Sequence, residues 1–211
     1  MAGYWKILRP RWLRWGATGD EVRCSLPGDD LVADPLLKTT RSIAIRAAPA
    51  EIWPWLAQMG QGRGGFYSYD WLENLFGLNI HNAERILPKF QNLQVGDLIP
   101  FWQGAGVRVI DRQPERYLVT AGTLYTGAGQ PADAYGGSWV FVLQPSSPGV
   151  TRLVVRSAVA RFEPVWLSEL FARLLLEPAH FIMERGMLLG IKRRAERTTG
   201  GQPPPDLPGN S

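Results

Sequence analysis

Apolar and polar positions alternate through "KTTRSIAIRA", residues 38–47, with Ile43 and Ile45 facing one way and Ser42 and Ala44 the other. A period of two predicts a half-buried strand. In "APAEIWPWLAQMG" the period changes: Ile52, Trp55, Leu56 and Met59 recur at helical spacing. Pro49 suits the first turn of that helix and Glu51 favours its positive end, whereas Pro54 removes a hydrogen bond. Gly60 is placed to stop it. A second short helix is predicted over 69–76, where Trp71, Leu72, Leu75 and Phe76 share an apolar face, and a single helical turn near 83–87. Strand-like segments follow near 98–102, 107–111, 116–121, 138–143 and 152–158, with a further strand near 123–126 inside a loose glycine-rich loop. The last third, "EPVWLSELFARLLL" and "EPAHFIMERGMLLGIKRRAER", is helical. Pro164 and Pro178 predict two helices, or one kinked at Pro178.

A strand, short helices, an antiparallel meander and a long C-terminal helix define an α+β chain. An antiparallel sheet must cover one face, and only the C-terminal helix is long enough to do so. The expected architecture is a curved antiparallel β-sheet wrapped around that helix, with an internal cavity between them. Residues 1–38 are expected to form a basic, aromatic arm and an irregular lead-in, 39–197 the folded domain, and 198–211 a disordered tail rich in Pro and Gly.

The chain has 211 residues, 45% of them hydrophobic and nine of them tryptophan, enough for a large core. The single cysteine, Cys24, excludes an internal disulfide and a multi-cysteine metal site. No run of 18 or more apolar residues suggests a membrane span, and the start lacks the apolar core of a signal peptide. The expectation is a cytoplasmic protein. The net charge of +4 is modest, but Lys6, Arg9, Arg11 and Arg14 precede every acidic residue and interleave with Tyr4, Trp5, Trp12 and Trp15. Residues 4–15 therefore either touch a membrane peripherally or pack their tryptophans on the domain while the arginines stay wet. Pro10 is expected to interrupt a long amphipathic helix there. The cations of "KRRAER" are explained by the negative end of the last helix, so no nucleic-acid partner is expected.

"QMGQGRGGFYSYDWLENLFG" contains G-x-G-x-x-G at Gly60, Gly62 and Gly65. A dinucleotide site needs a strand before the first glycine, a helix opening on the third, and a parallel βαβ unit. Here the preceding segment is helical and bulky aromatics follow. The glycines are expected instead to make a turn of close backbone approach, with Arg63 projecting from it.

The run from Thr39 to Gly77, "TTRSIAIRAAPAEIWPWLAQMGQGRGGFYSYDWLENLFG", resembles the SRPBCC group, the START-like and polyketide-cyclase-like proteins of the helix-grip fold. "SWVFVL", "TRLVVRSAVARF" and the final helix resemble the same group, so the likeness covers roughly 15–197. It implies a sheet gripping the C-terminal helix around a hydrophobic ligand cavity, and no particular reaction.

For catalysis, His81 and His180 are the only histidines. They lack H-x-x-x-H spacing, and no G-x-S-x-G appears, so neither a zinc site nor a serine hydrolase is indicated. His180 is expected at a helix surface or junction. Asp70 and Glu73 lie three apart, on one side of a helix or simply on its exposed face. No metal and no cofactor are expected. Two functions stay open. In the first, a small hydrophobic molecule (lipid, isoprenoid or polyketide-like) is bound, or bound and carried, against Trp53, Phe66, Tyr67, Trp71, Trp102, Tyr125, Trp139, Phe181 and Met187. In the second, a cyclase or dehydratase acts in the same cavity through Arg63, Tyr67, His81 or Arg156, the last reaching inward from its strand.

Overall fold

The computed structural model describes residues 2–69, 81–102, 105–122, 135–161, 164–166, 170 and 172–200, with the side chains of 2–7 and 102 excepted. An N-terminal helix α1 (Ala2–Leu13) and a short α2 (Gly19–Arg23) lead to β1 (Leu37–Ile45). Next come α3 (Pro49–Ala57), a 3-10 turn (Pro88–Phe90), and β2 (Leu98–Trp102), β3 (Ala105–Gln113), β4 (Tyr117–Gly122), β5 (Gly137–Ser147) and β6 (Val150–Val159). A π-helical turn (Ala172–Leu176) runs directly into α4 (Glu177–Thr199).

The strands form one antiparallel sheet in the order β1-β6-β5-β4-β3-β2. The first strand thus closes against the last, and the meander spreads to the other edge. The sheet curves around α4, which packs on β1 and α3. This is the α+β helix-grip arrangement expected from the sequence. Its core fills with Ile45, Trp55, Leu56, Phe141, Leu153, Val155, Met187, Leu188 and Ile191, contributed by sheet, α3 and α4 together.

Local chemistry explains most of the boundaries. Glu51 reaches back to accept from the Ala48 backbone N–H at 2.7 Å and fixes the start of α3. Pro54 lies inside that helix, which still runs to Ala57. The single turn expected near 83–87 is instead the 3-10 turn Pro88–Phe90. A buried glutamine displaces it: Gln58 Oε1 accepts from the Leu87 N–H and Gln58 Nε2 donates to Arg85 O, holding 85–87 extended against α3. The final helix restarts at Glu177, with Pro178 in its first turn where a missing N–H costs nothing. The expected elements at 69–76 and 123–126 lie outside the described residues, apart from Tyr69.

The glycine turn is no nucleotide cradle. Gly60 and Gly65 pair through reciprocal backbone bonds of 3.0 Å, and both take positive φ (123° and 74°), the region glycine occupies without strain. Arg63 does not project from this turn. It folds back over the end of α3, donating to Ala57 O at 2.8 Å and covering the Phe90 ring at 4.7 Å.

The lead-in covers the sheet face opposite α4. There Arg156, almost fully buried, donates to Thr40 Oγ1, Glu21 O, Val22 O, Cys24 O and Asp29 Oδ2. Arg152 donates to Glu21, Ser42 Oγ and Gly16 O. Arg156 therefore does not reach inward to a ligand. The pleat of β6 points Val155 to the core and Arg156 the other way, where it pins 21–29 to the sheet.

Helix α1 packs along α4 and β1. Arg9 makes a forked pair with the buried Glu177 at 2.8 Å, and Trp12 stacks on Phe181 with ring centroids 5.7 Å apart. Arg185 lies over the Trp15 ring. The arm thus packs Trp12 and Trp15 on the domain, and Pro10 sits inside the helix rather than ending it.

Candidate functional site

Odd-numbered positions of β1 and β6 face α4. On β1 this puts Arg41 in line with Ile43 and Ile45; on β6 it puts Ser157 beyond Leu153 and Val155; on β5 it puts Trp139 beside Phe141 and Leu143. Glu184 projects from α4 onto the same place. Arg41 is 0% exposed and Glu184 3%.

The Glu184 carboxylate accepts three hydrogen bonds. Oε2 accepts from Arg41 Nη1, and Oε1 accepts from Ser157 Oγ at 2.7 Å and from Trp139 Nε1 at 3.0 Å. Arg41 also donates through Nε to Trp12 O at 2.8 Å and through Nη1 to His180 Nδ1 at 2.9 Å. A guanidinium only donates, so His180 Nδ1 must accept, and the proton of the neutral ring lies on Nε2. That nitrogen stands 3.7 Å from Glu184 Oε1. Burial pushes the Glu184 carboxyl up, but its neighbours outweigh this, the Arg41 guanidinium and the Ser157 hydroxyl among them, and hold its pKa below the usual carboxylate value. Burial lowers the His180 pKa; Glu184 opposes this and Arg41 reinforces it.

An aromatic wall adjoins this ionic node through Trp139, whose ring lies 4.8 Å from Phe141, 5.8 Å from Phe101 and 6.2 Å from Phe66. Phe66 and Phe101 meet edge-on at 5.5 Å. Phe141 is fully buried, whereas Phe66, Phe101 and Trp139 keep part of their surface open. The edge-to-face contacts of Phe66 and Phe101 and of Phe101 and Trp139 hold these rings against one another.

The other expected site residues are dispersed. Trp53, Tyr67 and Met187 are core residues. Tyr67 donates to Trp55 O at 3.0 Å, and burial drives its pKa far above the ordinary tyrosine value, so it is held as a neutral phenol. Phe181 is covered by Trp12, and Arg63 caps α3. His81 is exposed on the segment after residue 80, not on the inner face. Trp71, Tyr125, Asp70, Glu73 and the side chain of Trp102 lie outside the described residues. His180, expected at a surface or junction, turns its ring into the node instead. Phe101, Arg41, Ser157 and Glu184 were not anticipated. The available signal was a charge in an apolar phase: Arg41 two residues before Ile43, and Glu184 three and four residues before Met187 and Leu188. Likewise Arg194 does more than favour a helix end. It donates to Ala83 O and Glu84 and lies over the Tyr67 ring at 5.0 Å. Separately, an open surface groove of about 450 Å³ lies at the β5–β6 turn, lined by Ala48, Pro49 and 145–151. Among the described residues no group of three or more His, Cys, Asp or Glu side chains could hold a metal ion.

The neutral state of His180 has a pH signature. Its folded pKa lies below the unfolded value near 6.5, so the unfolded chain takes up the proton first. The stabilising contribution is present above that value and is lost as pH falls toward the folded pKa. Urea unfolding of the wild type is expected to weaken between pH 7.5 and 5.5 more steeply than that of His180→Gln. Equal slopes would reject the neutral-ring assignment.

No family model and no curated protein matches the chain. Among solved structures, protein MLL2253 from Mesorhizobium loti is 16% identical, covers 76% of this chain and 98% of its own, and superposes with a TM-score of 0.42. An NMR structure from Thermobifida fusca is 12% identical over 76% of this chain and 93% of its own, with a TM-score of 0.46. The Aha1 dimer from Colwellia psychrerythraea is 14% identical over 69% and 93%, with a TM-score of 0.35. These are likenesses at low identity, and the fold stands on this chain's own strand order and helix packing.

Proposed function

We propose that the protein binds a small hydrophobic molecule against the Phe66–Phe101–Trp139 wall, on the side of the sheet gripped by α4. The observation that carries this reading is the partial exposure of three packed aromatic rings beside core residues that are sealed completely. Covering roughly 100–200 Å² of such surface contributes on the order of 2.5–5 kcal/mol. The adjacent node favours binding over proton transfer. A carboxylate with lowered pKa and three donors already in place is a poor general base, and the histidine lone pair at Nδ1 is occupied by Arg41.

Native mass spectrometry of freshly purified protein tests this. A near-stoichiometric apolar adduct is expected, and Phe101→Ala is expected to weaken its retention at least about tenfold, the loss of roughly one buried aromatic contact. Circular dichroism should stay unchanged in that variant. An adduct-free protein that also fails to take up added fatty acids and isoprenoids would end the proposal.

A further inference from the structure

We infer that the apolar surface at the entry to α4, together with the arginines of α1 beside it, docks the protein onto an anionic lipid bilayer. Six of the eight exposed large hydrophobic residues among those described fall in one stretch: Val165, Trp166, Leu170, Leu174, Leu175 and Ile182. Trp166 is 69% exposed, Leu174 62% and Leu175 60%. Scattered apolar side chains are ordinary on a protein surface, but this concentration along one short length of chain marks an interaction site.

Charge selects the occupant. Helix α1 lies against this stretch through the Arg9–Glu177 pair and the Trp12–Phe181 stack. Four cations precede the first acidic residue of the chain, Asp20, and Arg11, Arg14 and Arg173 are exposed. Among the described residues the adjoining carboxylates, Glu177 and Glu184, are buried against Arg9 and Arg41 and present no negative charge outward; the sequence adds Glu163 and Glu169 to the stretch, against the four cations of the arm. A tryptophan and leucines flanked by arginines match a headgroup boundary, where the apolar side chains enter and the cations meet lipid phosphates. No helix among the described residues is long and apolar enough to cross the membrane, so the contact is a surface one. It involves a different surface from the aromatic wall and does not depend on a bound ligand.

Flotation of the full chain with vesicles tests the surface directly. The wild type is expected to float with phosphatidylcholine vesicles containing phosphatidylserine and much less with pure phosphatidylcholine. Leu174→Glu/Leu175→Glu is expected to lower the bound fraction at least about tenfold, with an unchanged melting temperature because both side chains are exposed. Arg11→Glu/Arg14→Glu should abolish the preference for phosphatidylserine. A wild type that does not float, or a leucine variant that floats equally well, overturns the inference. So does self-association in analytical ultracentrifugation that the leucine variant abolishes, which would assign the surface to a second copy of the chain.

Discussion

Glu184→Ala is expected to lower the unfolding free energy by about 3–5 kcal/mol, the range for breaking a buried ion pair from one side. Arg41 is fully buried, and its remaining partners, a backbone carbonyl and a neutral imidazole, carry no counter-charge. Ser157 Oγ and Trp139 Nε1 also lose their acceptor. Glu184→Gln keeps the shape but not the charge, and its amide nitrogen would face donors, so most of the loss remains. Arg41→Met/Glu184→Met removes both ions together and is expected to be more stable than either single variant, because it also removes the desolvation cost. Urea denaturation of the wild type, Arg41→Met, Glu184→Met and the double variant supplies the cycle. A cost under about 1 kcal/mol for Glu184→Ala would mean the pair is solvated and the node absent. Acid should act in the same direction. The folded pKa of Glu184 is depressed, so its contribution is complete above the unfolded value and disappears as pH falls through the folded one. The consequence for function runs through Trp139, which loses the bond orienting its ring toward Phe66 and Phe101 and should release the hydrophobic adduct with it.

The sheet was legible as short β-branched and aromatic runs between turn signals: β2 was expected and found at 98–102, β3, β5 and β6 contain their expected spans, and β4 (Tyr117–Gly122) is displaced by one residue from 116–121. Helix α3 carried its own start signal in Pro49 and Glu51. The lead-in was harder. Helix α2 is only five residues long, and its Thr18–Glu21 capping box is visible only once that turn is suspected. Its partners, Arg152 and Arg156, stand more than 100 residues away in sequence. The node was hidden for a related reason. Arg41, Ser157 and Glu184 are each unremarkable locally, and only the β1-β6-β5 order brings them to one point. Aromatic abundance drew attention to Phe66 and Trp139, but it could not separate them from the core residues Trp53 and Tyr67. Exposure is a tertiary property, and composition does not encode it.

Gly190→Ala is expected to destabilise by at least about 3 kcal/mol, the upper end of overpacking costs, although alanine is worth up to about 1 kcal/mol more than glycine in a helix. A Cβ at this position would fall 1.9 Å from the backbone oxygen of Tyr67 and 2.8 Å from its Cβ. That neighbour cannot yield. Tyr67 sits at a φ of 60°, its N–H is held by Asn82 Oδ1, its hydroxyl by Trp55 O, and its ring lies between Trp55 and Arg194. Gly186→Ala meets Ser68 Oγ and the Tyr69 ring at 2.8 Å, side-chain atoms that can rotate aside, so its cost should be clearly smaller. Melting temperatures distinguish the two: a drop of roughly 6–12 °C is expected for Gly190→Ala in a chain of this size. Phe66 immediately precedes the residue that α4 presses upon, so the same variant should displace one ring of the wall and lose adduct in native mass spectrometry. A Gly190→Ala protein as stable as the wild type would show that helix and turn do not meet this closely. The position of Phe66, and with it the proposed binding surface, would then have to be set by something other than the grip of α4.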